Sequence, residues 1–193
     1  MSRRQAPAPE PLFRWAHQRE AWLRRRRRRT RRTLALSALG CSLLLGSALF
    51  PPHPRLVWNL SQSAPAGLYL VRPGAVPARG ATVIARLPRP FRALAAQRGY
   101  LPANVPLVKR VEAAASDSVC ALGPAIFVNG KRIAMRRMLD AQGRAMPHWQ
   151  GCVRLRAGEF LLLMPHPDSF DGRYFGVSGA ADLIGPAQRL WAR

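Results

Sequence analysis

Two serine hydroxyls close together in the sequence are the first candidates for covalent chemistry. Ser61 and Ser63 lie two positions apart, and Pro65 and Gly67 restrict the backbone directly after them. In an extended segment, side chains at i and i+2 face the same side of the backbone. The same pattern is also typical of a turn with two serine caps. Ser63 is therefore a candidate nucleophile that needs a partner base.

Lys109 is the candidate base. The chain has 31 lysine and arginine residues, yet its only lysines are Lys109 and Lys131. Lys109 interrupts an apolar segment that runs from Pro106 to Val111. Burial disfavours the charged form of lysine and lowers its pKa, whereas arginine stays protonated in proteins. A neutral lysine beside a serine hydroxyl is a known variant of serine-protease chemistry, although a surface lysine is the alternative.

A third polar region follows at residues 165–176. Asp171 and Arg173 are spaced i and i+2 and can form an ion pair on one face. His166, Asp168 and Ser169 have the residue types of a catalytic triad. Three residues so close in sequence can hardly converge on one point, so a structured surface loop is the favoured interpretation of this triad.

The elements that must position these residues begin with an N-terminal anchor. The arginine run Arg24–Arg29 precedes residues 33–50, which carry no charge. As a helix this segment would span roughly 27 Å, just enough for a bilayer core. Because positive charge stays on the cytoplasmic side, we expect a cytoplasmic tail over 1–32, a transmembrane anchor over 33–50 and a periplasmic domain over 51–193. A cleaved signal peptide is the alternative, disfavoured by the long leader.

The part after residue 50 has the pattern of a mainly β fold. Short segments rich in β-branched residues are separated by glycine and proline, and Asn129-Gly130 suits a two-residue type I′ turn. Strands are predicted over 67–71, 81–85, 105–113, 125–128 and 159–164, with a short helix over 92–98. The pattern predicts a small, partly closed β-barrel.

The cysteines indicate the compartment. Cys120 and Cys152 could form one disulfide if their domain lies outside the cytoplasm. A zinc site that includes His148 is the alternative, but the chain has no C-x-x-C pair. We expect no metal and no cofactor.

Taken together, the three polar regions resemble signal peptidase I, and more closely its conjugative-transfer branch, TraF. The similarity covers about residues 56–191 and keeps the order of the motifs. The segments that carry it are Asn59–Tyr69, Leu107–Val111 and Pro167–Gly176. The nucleophile segment is one residue shorter than in housekeeping signal peptidases, which favours the conjugative branch. Asp117 resembles a further family aspartate, but Ala115 and Ser116 replace the family's Pro-Gly, which leaves its role open.

The resemblance implies roles for individual residues. Ser63 is the expected nucleophile and Lys109 the expected general base. Ser61 is expected to join the Ser63 backbone N–H in an oxyanion hole. Ser169 is expected to supply the hydroxyl that orients the base, and the resemblance implies that Asp171 and Arg173 form a supporting pair near the site.

The implied function is that of a membrane-bound serine endopeptidase that removes leader peptides. The expected partners are a conjugative pilin precursor or another leader-bearing protein, inner membrane lipid, and the type IV secretion machinery of conjugation. The expected location is the bacterial inner membrane, with a single pass and a cytoplasmic N-terminus. Whether the product is cyclised stays open. Alternatives are housekeeping secretion or a non-catalytic assembly factor, and no direct nucleic-acid role is expected for the arginine-rich tail.

Overall fold

The computed structural model describes residues 11–49 and 53–192, and the chain divides into two compact units, residues 1–52 and 53–193. The described residues of the first unit, 11–49, form one helix, α1 (Pro11–Leu49). Proline is tolerated in the first turn of a helix, where its missing N–H would have no intrahelical partner. The predicted anchor falls in the second half of α1, apart from Phe50, which lies outside the described residues. No helix in the described part of the chain has the length and apolar character needed to cross a membrane.

The second unit is mainly β, as the sequence predicts. Its strands are β1 (Leu56–Asn59), β2 (Gly67–Val71), β3 (Thr82–Ala85), β4 (Leu107–Ala113), β5 (Ser118–Leu122), β6 (Ala125–Val128), β7 (Lys131–Met135), β8 (Gly151–Arg154), β9 (Glu159–Leu163), β10 (Ser178–Gly179) and β11 (Leu183–Ala192). Two short helices complete it, α2 (Arg89–Gln97) and α3 (Gly172–Phe175). All the strands predicted from the sequence are present, and the predicted helix is α2.

The strands form two antiparallel sheets. The larger sheet has seven strands in the order β1-β2-β11-β3-β4-β9-β10, and the smaller has four in the order β7-β6-β5-β8. Register shifts interrupt the pairing of β11 with β2 and β3 and of β4 with β9. Because such irregularities bend strands, the larger sheet curls. Its edge strands β1 and β10 do not pair with each other within residues 53–192, so the sheet stays open.

Strand β4 lies inside the larger sheet and carries the candidate base. It pairs with β3 on one side, where Lys109 stands opposite Val83, and with β9 on the other. Five of its seven residues are buried, since apolar layers cover both faces of the strand. Val111 packs with Leu162 in one cluster, and Val108 packs with Ile84 in another. The strand therefore places the Lys109 side chain in an apolar interior.

Candidate active site

The candidate nucleophile lies in a turn between β1 and β2, which is the alternative to an extended segment that the sequence pattern left open. The buried Asn59 side chain forms this turn. Its Nδ2 donates to the carbonyls of Ser61 (3.3 Å), Ala64 (3.1 Å) and Pro65 (3.1 Å). Its Oδ1 accepts from the Ser61 N–H at 3.1 Å. One amide thus supplies hydrogen bonds that a neighbouring strand would otherwise provide, and it fixes the loop that carries Ser63.

The two serines of this turn contact each other. Their hydroxyl oxygens are 2.8 Å apart, and the Ser63 N–H donates to Ser61 Oγ at 3.2 Å. Ser63 is half-buried and Ser61 is exposed. The two groups expected in an oxyanion hole are therefore adjacent but bound to each other. The Ser61 hydroxyl would have to rotate before both could donate to a substrate oxygen.

Lys109 is almost completely buried, with 2% of its surface exposed. Its Nζ donates to the fully buried Ser169 hydroxyl at 2.6 Å. Burial lowers the pKa of Lys109 to about 8, although the negative charge of Asp171 opposes this shift and the positive charge of Arg173 adds to it. A substantial fraction of the amine is therefore neutral in mildly alkaline solution, as a general base requires.

Asp171 and Arg173 form a buried ion pair behind Ser169. Arg173 Nε donates to Asp171 Oδ1 at 2.8 Å and Nη2 donates to Oδ2 at 3.1 Å. The remaining hydrogen bonds are satisfied by backbone, since Met164 N donates to Asp171 and the guanidinium donates to the carbonyls of Met164 and Pro167. A buried pair with its hydrogen bonds satisfied is costly to break from one side. The pair therefore fixes the loop that presents Ser169.

Ser63 and Lys109 line the same cavity. It has a volume of about 480 Å³, and its lining also includes Ser61 and apolar residues such as Leu101 and Phe170. Within the described residues, no direct hydrogen bond joins Ser63 to Lys109: the Ser63 hydroxyl contacts Ser61 and the Lys109 amine contacts Ser169. The Ser63 hydroxyl and the Lys109 amine thus lie on the wall of the same cavity, and the amine is hydrogen-bonded to Ser169.

The alternative triad is not assembled. Ser169 faces Lys109, whereas Asp168 forms an ion pair with Arg137 at 2.7 Å. His166 Nδ1 accepts from the Asp168 backbone N–H at 3.2 Å. These three residues share a loop but not a common reacting centre.

Two other sequence candidates lie away from the cavity. Cys120 and Cys152 stand directly opposite each other on β5 and β8 and are joined by a disulfide. Asp117 accepts from the Ala114 N–H at 3.0 Å and from Asn129 Nδ2 at 2.7 Å. Hydrogen bonds to its carboxylate lower the pKa of Asp117, the Ala114 N–H contributing most. Asp117 therefore organises a tight turn.

Two residues that shape the site, Asn59 and Asp140, were not singled out as candidates from the sequence. Asn59 lies in the quoted nucleophile segment, and an asparagine two residues before a turn is a recognisable Asx-turn signal. Asp140 binds Tyr100 and Arg144 beside the cavity. Its only local signal is the turn pattern with Gly143 at the fourth position; the contact with Tyr100 depends on tertiary structure.

Comparisons with known proteins find a matching family model and several similar proteins. Residues 28–191 match the family model described as signal peptidase, peptidase S26. The chain is 31% identical over 156 residues to the plasmid transfer protein TraF of Escherichia coli, across 75% of this chain and 86% of the relative. It is 34% identical over 145 residues to the probable conjugal transfer protein TraF of Sinorhizobium fredii, across 68% and 74%. A signal peptidase I crystal structure from Enterococcus faecalis aligns with 17% identity and a TM-score of 0.34, covering 58% of this chain and 97% of that one.

Proposed function

This chain belongs to the signal peptidase family, peptidase S26, and from that premise we propose that it is a serine endopeptidase with a Ser63–Lys109 dyad. One observation carries the proposal: a half-buried serine hydroxyl and a buried lysine with a lowered pKa line one cavity. Fold membership alone would not assign chemistry, because one fold hosts many functions.

The proposed reaction uses Lys109 twice. The neutral amine takes the proton of Ser63, and the serine oxygen attacks the substrate carbonyl. Protonated Lys109 then gives that proton to the leaving amine as the peptide bond breaks. Water next attacks the acyl-enzyme and gives a proton to Lys109. Lys109 passes that proton to the Ser63 oxygen as the acyl–oxygen bond breaks, which releases the acid product and restores the free serine. Ser169 holds the amine between these steps, and the proton transfer requires Lys109 Nζ to come within about 2.6–3.2 Å of Ser63 Oγ.

The oxyanion is proposed to form beside the same turn. The Ser63 N–H and the Ser61 hydroxyl are already adjacent, so rotation of Ser61 would aim both donors at the substrate oxygen. One such donor typically contributes about 2.7–4 kcal/mol to the stability of the transition state. Asn59 contributes by keeping the turn in place.

The proposed substrate is a leader-bearing precursor, specifically the pilin precursor of a conjugation system. The names of the relatives refer to plasmid transfer and conjugal transfer. A pilin precursor with its own leader would be such a substrate, and the type IV secretion machinery of conjugation is the proposed partner.

The location is a separate proposal, resting on the sequence and on exposed side chains. Residues 33–50 carry no charge and follow the run Arg24–Arg29. In the second unit, the exposed rings of Trp58 and Trp191 have centroids 5.5 Å apart. Tryptophan prefers membrane–water interfaces. We propose the inner membrane, with the peptidase domain on its periplasmic side.

Mass spectrometry of candidate pilin precursors, incubated with the full-length protein, tests the function. The protein should remove a leader, and Ser63→Ala and Lys109→Arg should abolish that cleavage, because arginine cannot act as a neutral base. Lys131→Arg is the matched control, since Lys131 is exposed, and should cleave normally. Turnover by Lys109→Arg would remove Lys109 from the mechanism. Normal pilus assembly with Ser63→Ala would favour a non-catalytic assembly factor, and cleavage of unrelated secretory precursors would favour housekeeping secretion.

A further inference from the structure

A short hairpin, residues 138–146, forms part of the wall of the active-site cavity. Its ends are joined by a bridge between Leu139 and Ala145 and by a 2.8 Å hydrogen bond from Met146 N to the Met138 carbonyl. Leu139, Ala141 and Met146 line the cavity that also contains Ser63 and Lys109. The hairpin therefore presents apolar side chains to whatever binds beside the reacting groups.

The Asp140 carboxylate holds this hairpin together and attaches it to the rest of the domain. It accepts from Arg144 Nε at 2.6 Å and from the backbone N–H groups of Gln142 and Arg144, both at 2.9 Å. It also accepts from the hydroxyl of Tyr100 at 2.5 Å. Tyr100 belongs to the segment that follows α2. Only 5% of the Asp140 side chain is exposed. Burial alone would raise the pKa of Asp140, but these hydrogen bonds outweigh it and lower the pKa, so the carboxylate is charged at neutral pH.

A second set of contacts links the same two segments. Arg98 Nη1 donates to the Ala145 carbonyl at 2.7 Å, and Arg144 Nη2 donates to the Arg98 carbonyl at 3.4 Å. The Arg144 guanidinium lies 5.8 Å from the centre of the Tyr100 ring. Tyr100 itself lines the cavity. The hairpin is thus held against the chain after α2 by a charged cluster at the cavity rim.

We propose that the Tyr100–Asp140 contact is a specificity determinant: it fixes the hairpin and so limits the size of the apolar substrate side chain that the cavity accepts. This inference rests on the proposed peptidase function. Tyr100 and Asp140 act as positioning residues. They hold Leu139, Ala141 and Met146 in place and do not contact the reacting atoms. Loosening the contact should widen the cavity without removing the dyad.

The test compares the full-length protein with Tyr100→Phe, which keeps the ring and removes the hydroxyl that binds Asp140. A peptide library derived from a bacterial proteome is incubated with each protein, and cut sites are read by mass spectrometry. Tyr100→Phe should accept leucine, methionine or phenylalanine beside the cut at least about tenfold more often relative to alanine, the scale of discrimination by an apolar pocket. Asp140→Asn should shift the profile the same way. Asp182→Asn, a carboxylate outside the cavity, should leave it unchanged.

Two further measurements separate the outcomes. Amide hydrogen exchange of residues 138–146 should quicken in Tyr100→Phe; if it does not, the hydroxyl does not hold the hairpin and the proposal is wrong. Faster exchange with an unchanged size preference would also overturn it. If the wild-type protein cuts nothing, the proposed peptidase function is wrong. The size limit is then tested by selecting peptides of the same library that bind to the immobilised wild-type and variant proteins. Equal size preference in wild type and variant, or no peptide binding at all, would then overturn it.

Discussion

At the scale of single residues, the buried amine of Lys109 is the costly feature of the site. Its pKa falls from 10.5 to about 8, which corresponds to about 3 kcal/mol at about 1.4 kcal/mol per pKa unit. The hydrogen bond to Ser169 and the charge of Asp171 recover part of the desolvation. The remaining penalty of about 3 kcal/mol lowers the stability of the folded domain. The same desolvation supplies a neutral base near physiological pH.

The pH dependence of cleavage should report this amine. Because the reaction needs neutral Lys109, we expect kcat/KM to rise with pH and to level off above an apparent pKa of about 8. The measurement is kcat/KM against pH for a cleaved precursor peptide. The exposed-site variant Lys131→Arg should give the same curve. A flat profile between pH 6 and pH 9 would mean that another group is the base.

The same shift predicts how stability depends on pH. Between the folded pKa of about 8 and the unfolded value of 10.5, the unfolded state binds more protons, so Lys109 makes stability rise with pH. Below pH 8 its full penalty is present, and above 10.5 it vanishes. Relative to Lys109→Met, the wild-type free energy of unfolding should therefore gain about 3 kcal/mol across this interval. Denaturant unfolding of both proteins at pH 7.5 and 10.5 measures it, and a constant difference would contradict the shift.

At the scale of elements, α3 shows how closely the supporting loop must pack. Gly172 begins this helix directly after Asp171, and its carbonyl accepts from Trp149 Nε1 at 3.0 Å. A Cβ at Gly172 would lie 2.9 Å from the Leu162 carbonyl oxygen and 2.9 Å from Leu161 Cδ1. Strand β9 therefore leaves no room for a side chain here, which explains the glycine.

Gly172→Ala should accordingly destabilise the domain by about 1–3 kcal/mol, the usual range for overpacking a core. It should also lower activity, because the displaced helix carries Arg173 and follows the loop of Ser169. Gly179→Ala is the matched control, since nothing lies within 4 Å of its added Cβ. Thermal unfolding and cleavage rates of both variants measure the effect. Equal stability in the two variants would contradict the prediction and would mean that β9 shifts to make room for the new methyl group.

The strands that the sequence predicted are those with a strong local pattern. Strand β9 is an apolar run, and the turn at Asn129 and Gly130 has positive φ at both residues, 50° and 79°, as a type I′ turn requires. Strand β8 was missed because all its residues are exposed and it exists through its pairing with β5. The sequence singled out Ser63, Lys109 and Ser169 as candidates, and the family resemblance implied that the Ser169 hydroxyl orients Lys109, as its hydrogen bond to Nζ does. The direct contact between the Ser61 and Ser63 hydroxyls was not expected. The turn made by Asn59 has a local Asx-turn signal, but the attachment of Asp140 to Tyr100, 40 residues away in sequence, depends on a hydrogen bond that no local pattern encodes.

At the scale of the whole molecule, charge distribution is the dominant feature. The formal net charge is +22, and much of it lies in the N-terminal tail, where Arg24–Arg29 form an unbroken run. Positive residues beside an apolar segment determine its orientation, because they are retained on the cytoplasmic side. The disulfide between Cys120 and Cys152 suits an oxidising compartment. Both features support the proposal that the tail and the peptidase domain lie on opposite sides of a membrane.

A reporter fused after residue 193 tests this orientation. Alkaline phosphatase, which is active only outside the cytoplasm, should be active there, whereas green fluorescent protein fused at the same point should be dark. Replacing Arg24–Arg29 by glutamine weakens the positive bias before residues 33–50 and should lower phosphatase activity at equal protein level. Replacing Arg154 and Arg156, exposed arginines of the peptidase domain, is the control and should not. An inactive phosphatase on a stable, membrane-fractionating fusion would place the dyad in the cytoplasm, where a leader could be cut only before its protein crosses the bilayer.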